Sequence, residues 1–130
     1  MKRAIGNPAP DEQRYQDDQR ERGCASCALR GNSQQGGRTE IHHRTIGDLH
    51  GQKQLGHRFT IPLCSWCHRA ECLPGMTCSD MLGDYGLSFA RHKVKFLEEI
   101  ERELGERTTE ALQRWFDEEN GIEPPLARAA

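Results

Sequence analysis

Apolar positions are sparse along this chain, and they gather in two short strand-like runs and two later helical stripes. Residues 1–22 are charged and amide-rich, with Asn7-Pro8-Ala9-Pro10 near the start, and show no apolar stripe. They read as a flexible N-terminal arm, at most a frayed helix over 11–22. Two short β-tolerant runs follow. Arg38-Thr39-Glu40-Ile41-His42-His43 predicts a strand ending at the histidines. Arg58-Phe59-Thr60-Ile61-Pro62 predicts a second strand, with Pro62 marking its end or an edge position. The glycine-bounded stretches 31–37 and 47–56 are loops, so the strands make a hairpin with a long connection.

A short helix is predicted over 65–72, and 73–86, with Pro74, Gly75, Gly83 and Gly86, is read as irregular. Helical periodicity then takes over. Phe89, Phe96, Leu97, Ile100 and Leu104 fall on one face of a helix capped by Ser88 and stopped by Gly105. Thr108 or Thr109 caps another, carrying Leu112, Trp115 and Phe116 and ending at Gly121. The expected organisation is an arm (1–22), one α+β domain (23–119) and a disordered tail (120–130) that includes Pro124-Pro125.

Composition explains why such a chain needs help to fold. Of its 130 residues, 35% are hydrophobic and 6% aromatic, with a mean hydropathy of −0.85. That supports a single small core for which a metal staple is physically sensible. No apolar run is long enough to cross a bilayer, so no membrane association is expected. Met1-Lys2-Arg3 is not followed by a signal-peptide core, so an intracellular, reducing compartment is expected. The six cysteines then point to metal or thiolate chemistry and not to disulfides.

The formal net charge of −2 conceals an asymmetry. Residues 22–95 carry net +5 and all six histidines; residues 96–130 carry net −6. A basic, histidine-rich centre suits a phosphate-bearing partner. The acidic run Glu98, Glu99, Glu101 and Glu103 would repel one, or would face a protein partner.

Two C-x2-C pairs, Cys24/Cys27 and Cys64/Cys67, dominate the centre. Each places two thiolates on one side of a tight turn, and two such turns complete a tetrahedral zinc site. In the competing arrangement Cys72 and Cys78 join Cys64 and Cys67, leaving Cys24 and Cys27 elsewhere. Between the pairs lies His42-His43, and His68 follows the second pair directly. Successive strand residues point to opposite faces, so His42 and His43 can divide two jobs: one ligates a metal and the other activates water. His68, on the short helix, could share a metal with His42. A divalent cation would neutralise the leaving oxygen of a phosphodiester.

The order Cys24-x2-Cys27, Ile41-His42-His43, Leu63-Cys64-x2-Cys67-His68 resembles the HNH (ββα-metal, or His-Me finger) endonuclease superfamily. Within it, Glu40–His43, Gly56–Cys64 and Lys93–Phe96 resemble the phage recombination-enhancement (Ref) nucleases, which depend on RecA. The resemblance covers roughly residues 22–105. It implies a zinc-stapled ββα-metal core with added C-terminal helices and DNA endonuclease activity. His43 would be the general base, His42 and His68 ligands of a catalytic magnesium or manganese ion, and the four-cysteine zinc structural. It also implies DNA and a RecA filament as partners, and the cytoplasm of a bacterial host carrying a phage or prophage as location. The family's middle asparagine is missing from Phe59-Thr60-Ile61; His57 is the nearest polar replacement. The third metal ligand is unassigned, with His92 and Cys72 as candidates. Arg44, Lys53, Arg58 and Arg69 are candidate phosphate contacts, and His50 reads as plain surface. The competing function is a non-catalytic, zinc-stapled nucleic-acid-binding module; an interaction adaptor built on the acidic helices ranks behind it.

Overall fold

The structure, a computed structural model, describes residues 6–48 and 52–126; His50 lies outside the described residues. The fold is α+β. In chain order it comprises α1 (Pro10–Arg22), α2 (Ala25–Arg30), β1 (Thr39–His43), β2 (Thr60–Cys64), α3 (Ser65–Arg69), α4 (Cys78–Tyr85), α5 (Lys93–Leu104) and α6 (Thr109–Asn120), with a single 3-10 turn at Ile46–Asp48.

β1 and β2 pair antiparallel, from Thr39 opposite Cys64 to His43 opposite Thr60. β2 begins two residues later than expected and runs straight through Pro62. The register explains how. Arg44 N–H bonds Phe59 O at one end and Ser65 N–H bonds Arg38 O at the other. The hydrogen-bonded pairs therefore fall on even-numbered residues of β1, and Pro62 faces Ile41 at a non-hydrogen-bonded position, where its missing N–H is not needed. All five residues of β2 are buried, because α1, α2, α3 and α6 all pack against it. Ile61, Leu63, Trp66, Met81, Phe96, Ile100, Leu112 and Phe116 form the centre of the core.

Residues 10–22 are a docked helix and not an arm. Pro10 opens α1, and the Glu12 carboxylate accepts from Ala9 N–H at 2.8 Å. Its inward face is largely polar. Gln19 is fully buried, donates to Thr60 O at 2.9 Å and accepts from the Thr60 hydroxyl at 2.8 Å. Tyr15 is buried too, and its hydroxyl donates to Asp117 on α6 at 2.5 Å.

Three further expectations are corrected. α3 stops at Arg69, three residues short, because Ala70 takes a left-handed conformation. The stretch read as irregular contains α4, started by a capping box in which Thr77 and Asp80 bond each other's backbone N–H. α5 begins at Lys93: Ser88 is buried five residues upstream and does not cap it, and the intervening turn is tied to α3 by Phe89 N–H to Cys67 O at 2.8 Å. α6 matches expectation, with Thr108 capping Ala111 and Gly121 left-handed at its end. Beyond it, Ile122 is buried on the core, so the tail is not detached from residue 120 onward. Residues 127–130 lie outside the described residues. Among the described residues no helix is long and apolar enough to cross a membrane.

Candidate metal centre and histidine site

Cys24 precedes α2 and Cys27 lies within it; Cys64 closes β2 and Cys67 lies within α3. The two helical turns bring all four sulfurs together, each within 4.8 Å of the others and all buried. Cys27 Sγ is 4.0 Å from Cys64 Sγ and 3.9 Å from Cys67 Sγ. Four thiolates about 2.3 Å from a tetrahedral zinc ion sit about 3.8 Å apart, so this group can hold one ion with almost no rearrangement. Zinc with four thiolates carries a net negative charge. Arg30 faces it, with Nη1 donating to Cys67 Sγ at 3.5 Å, while its far side pairs with Glu99 at 2.8 Å. Cys72 and Cys78 take no part in this group, which disposes of the competing arrangement.

The alternation of β1 separates the two histidines. His42 turns toward α3 and the turn before α5: its ring lies 5.2 Å from that of His68 and 4.9 Å from Phe89, centre to centre. Burial, then the neighbouring His68 and His43, push its pKa down to about 3, so the imidazole is neutral and free to act as a ligand. His68 Nδ1 donates to Glu40 Oε1 at 2.9 Å, which leaves Nε2 as the ligand-facing nitrogen. Glu40 is in turn gripped by Arg69, through Nε at 2.8 Å and Nη2 at 2.7 Å. The Arg69 guanidinium holds the carboxyl down to about 2. Glu40 was not assigned a role from sequence. The signal was present, since residues two apart on a strand share a face and Glu40 and His42 are so spaced.

On the other side, His43 Nε2 lies 3.0 Å from His57 Nδ1. His57 Nε2 contacts Gly6 O at 2.8 Å. A carbonyl only accepts, so the His57 proton sits on Nε2 and its Nδ1 accepts. Nε2 of His43 must then be the donor, which leaves Nδ1 of His43 with a free lone pair. Gln16 on α1 fixes His57 further, donating to its carbonyl at 3.0 Å. Burial, then His57 and His68, lower the His43 pKa, so its neutral form prevails.

The remaining candidates divide. His92 is engaged elsewhere, its Nδ1 accepting from Ser88 N–H at 3.1 Å, and Cys72 faces Cys78. Neither joins His42 and His68. Among the described residues, the four cysteines are the one group of three or more possible ligands so gathered. Arg44 is corrected as a phosphate contact: it is buried, donating to Gln113 Oε1 at 2.6 Å and to Thr109 Oγ1, and ties β1 to α6. Arg58 lies over the Phe59 ring and lines a cavity of about 270 Å³ beside α6 with Arg44 and Arg114. Arg69 is half-exposed but paired with Glu40 and Glu71. Lys53 is exposed. A cation not foreseen, Lys93, lies over the Phe89 ring at 5.2 Å, next to His42.

Compared with family models, with curated proteins and with solved structures, the chain finds no match in any of the three.

Proposed function

We propose that this chain is a metal-dependent DNA endonuclease of the HNH type, with a structural zinc at Cys24, Cys27, Cys64 and Cys67. The observation that carries the reading is the split of the histidines at the end of β1. His43 presents an unprotonated Nδ1 backed by His57, while His42 and His68 converge on the opposite face, backed by Glu40.

A scissile phosphate at the end of β1 meets both groups. His43 Nδ1 takes the proton of the attacking water. The resulting imidazolium keeps its Nε2–H on His57, so the ring does not reorient as it charges. His57 thus does the positioning expected of the missing asparagine. His42 and His68 would hold a divalent ion, which would supply charge neutralisation at the leaving oxygen. The ion would be magnesium or manganese, as the resemblance implies. Lys93, over the Phe89 ring, and the exposed Lys53 would contact the DNA backbone. Action on DNA presented by a RecA filament, in a phage-bearing bacterial host, belongs to the same proposal and rests on the resemblance of Glu40–His43 and Gly56–Cys64.

A second reading, a zinc-stapled nucleic-acid-binding module that does not cut, draws on one observation: among the described residues only two protein donors, His42 and His68, meet on the proposed catalytic face. The experiment that separates them is cleavage by wild type and His43→Ala. Single- and double-stranded DNA are tested with magnesium or manganese, each with and without a RecA filament. Cleavage by wild type alone, with binding and zinc retained in the variant, supports the nuclease. Binding by both with cleavage by neither supports the module.

A further inference from the structure

Cys72 and Cys78 belong to neither the four-cysteine group nor the histidine site. Their sulfurs are 3.7 Å apart, in van der Waals contact, and both residues are half-buried. The segment between them is built to hold them there. Leu73-Pro74-Gly75-Met76 forms a tight turn closed by Met76 N–H to Leu73 O at 3.0 Å. Pro74 takes the first corner and Gly75, at φ +77°, the second, the pattern of a type II turn. Leu73 and Met76 pack on the core, and the Thr77–Asp80 capping box fixes Cys78 as the first residue of α4. Both ends of the loop are therefore anchored.

Two thiols alone make a poor metal site, and among the described residues no third ligand joins them. A pair in contact at the two ends of an anchored turn suits a different chemistry. The S–S bond is about 2.05 Å, so closing it calls for a side-chain adjustment and no refolding. We infer that Cys72 and Cys78 form a reversible dithiol–disulfide couple, independent of the zinc site and open to exchange with small disulfides of the glutathione class. One thiolate attacks the small disulfide, breaking its S–S bond and releasing one thiol after protonation. The second cysteine then attacks the mixed disulfide, gives up its proton, and releases the second thiol. The protein loses two hydrogens and the small disulfide gains them. Desolvation and the neighbouring Cys78 raise the Cys72 pKa, and Arg91 opposes them only in part, so exchange should quicken as pH rises.

The sequence makes the test clean. Trypsin cuts after Arg22, Arg30, Arg58, Arg69 and Arg91, so Cys24/Cys27, Cys64/Cys67 and Cys72/Cys78 fall on the separate peptides 23–30, 59–69 and 70–91. The zinc-loaded full chain is exposed to oxidised glutathione, alkylated and digested, and released zinc is followed. The expected result is peptide 70–91 lighter by two hydrogens and unalkylated, zinc retained, and the change reversed by dithiothreitol. Cys72→Ser should accumulate a glutathione adduct on Cys78 that wild type does not. A lasting adduct on wild-type 70–91, two alkylated thiols there, or oxidation first at 23–30 and 59–69 with loss of zinc, each overturns the inference. DNA enters none of these readouts, so the outcome is independent of the nuclease proposal.

Discussion

His57 Nδ1 accepts a hydrogen bond from His43 Nε2 at 3.0 Å, and that contact decides which nitrogen of His43 is free. In the proposed nuclease His57 would act as a positioning residue, and its loss should act through His43. His57→Ala is expected to lower cleavage about 10–100-fold while leaving zinc content unchanged. His57→Asn, whose side-chain oxygen can accept the same bond, should recover much of that loss. Rate against pH separates orientation from simple damage. The alanine variant should show an altered acid limb, because His43 loses both the charge neighbour that lowers its pKa and the bond that fixes its tautomer.

Glu40 orients His68 and engages Arg69. Glu40→Gln keeps the shape and removes the charge. Manganese affinity, followed by calorimetry on zinc-loaded protein, should fall about 10–100-fold. The same carboxylate gives a stability signature. Its folded pKa, about 2, lies below its unfolded value, so its contribution is complete above about pH 4.5 and is lost as pH falls toward 2. Urea midpoints measured down that range should drop more steeply for wild type than for Glu40→Gln.

Removal of zinc should cost the fold itself. The four cysteines join α2 to the β2–α3 junction in a core short of apolar residues. Apparent zinc binding in small structural sites is worth about 10–16 kcal/mol near neutral pH, comparable to or larger than the stability of a domain this size. A strong chelator is expected to release one ion per chain and to abolish the cooperative thermal transition. Cys27→Ser should reproduce that loss, whereas Cys78→Ser should retain both the ion and the transition.

Asp117 gives a pH dependence of the opposite sign. Burial beneath α1 raises its pKa to about 6, against the hydrogen bonds from Tyr15 and Gln19 that favour the carboxylate. A folded pKa above the unfolded one means the protonated form is favoured by folding. That contribution is complete below about pH 4 and is lost as pH rises through about 6. In the pH 4–7 window, the stability of wild type relative to Asp117→Asn should therefore fall as pH rises. A flat difference across that window would refute the assignment.

What the sequence disclosed follows from where each signal lives. The four-cysteine cluster was legible because C-x2-C is a local geometric constraint. α6 was legible because cap, apolar stripe and terminal glycine agree with one another. α1 escaped because its buried face uses Gln16 and Gln19 in place of apolar residues, so no period marks it as inward. Arg44 escaped because its partners, Thr109 and Gln113, come from a helix more than sixty residues away, and no local pattern announces that pairing. α4 was readable from Thr77 and Asp80, but Pro74, Gly75 and Gly83 outweighed the capping box.

Pro62 has a consequence outside the site. At a non-hydrogen-bonded position opposite Ile41, its nitrogen faces away from β1, toward the outer edge of β2. That edge is covered, with α1 packed on β2 and Gln19 donating to the outward carbonyl of Thr60 at 2.9 Å. Pro62 is itself fully buried, so an N–H there would need an acceptor of its own, and the ring removes that demand. Replacing it with valine would add a buried donor that the surrounding helices would have to satisfy.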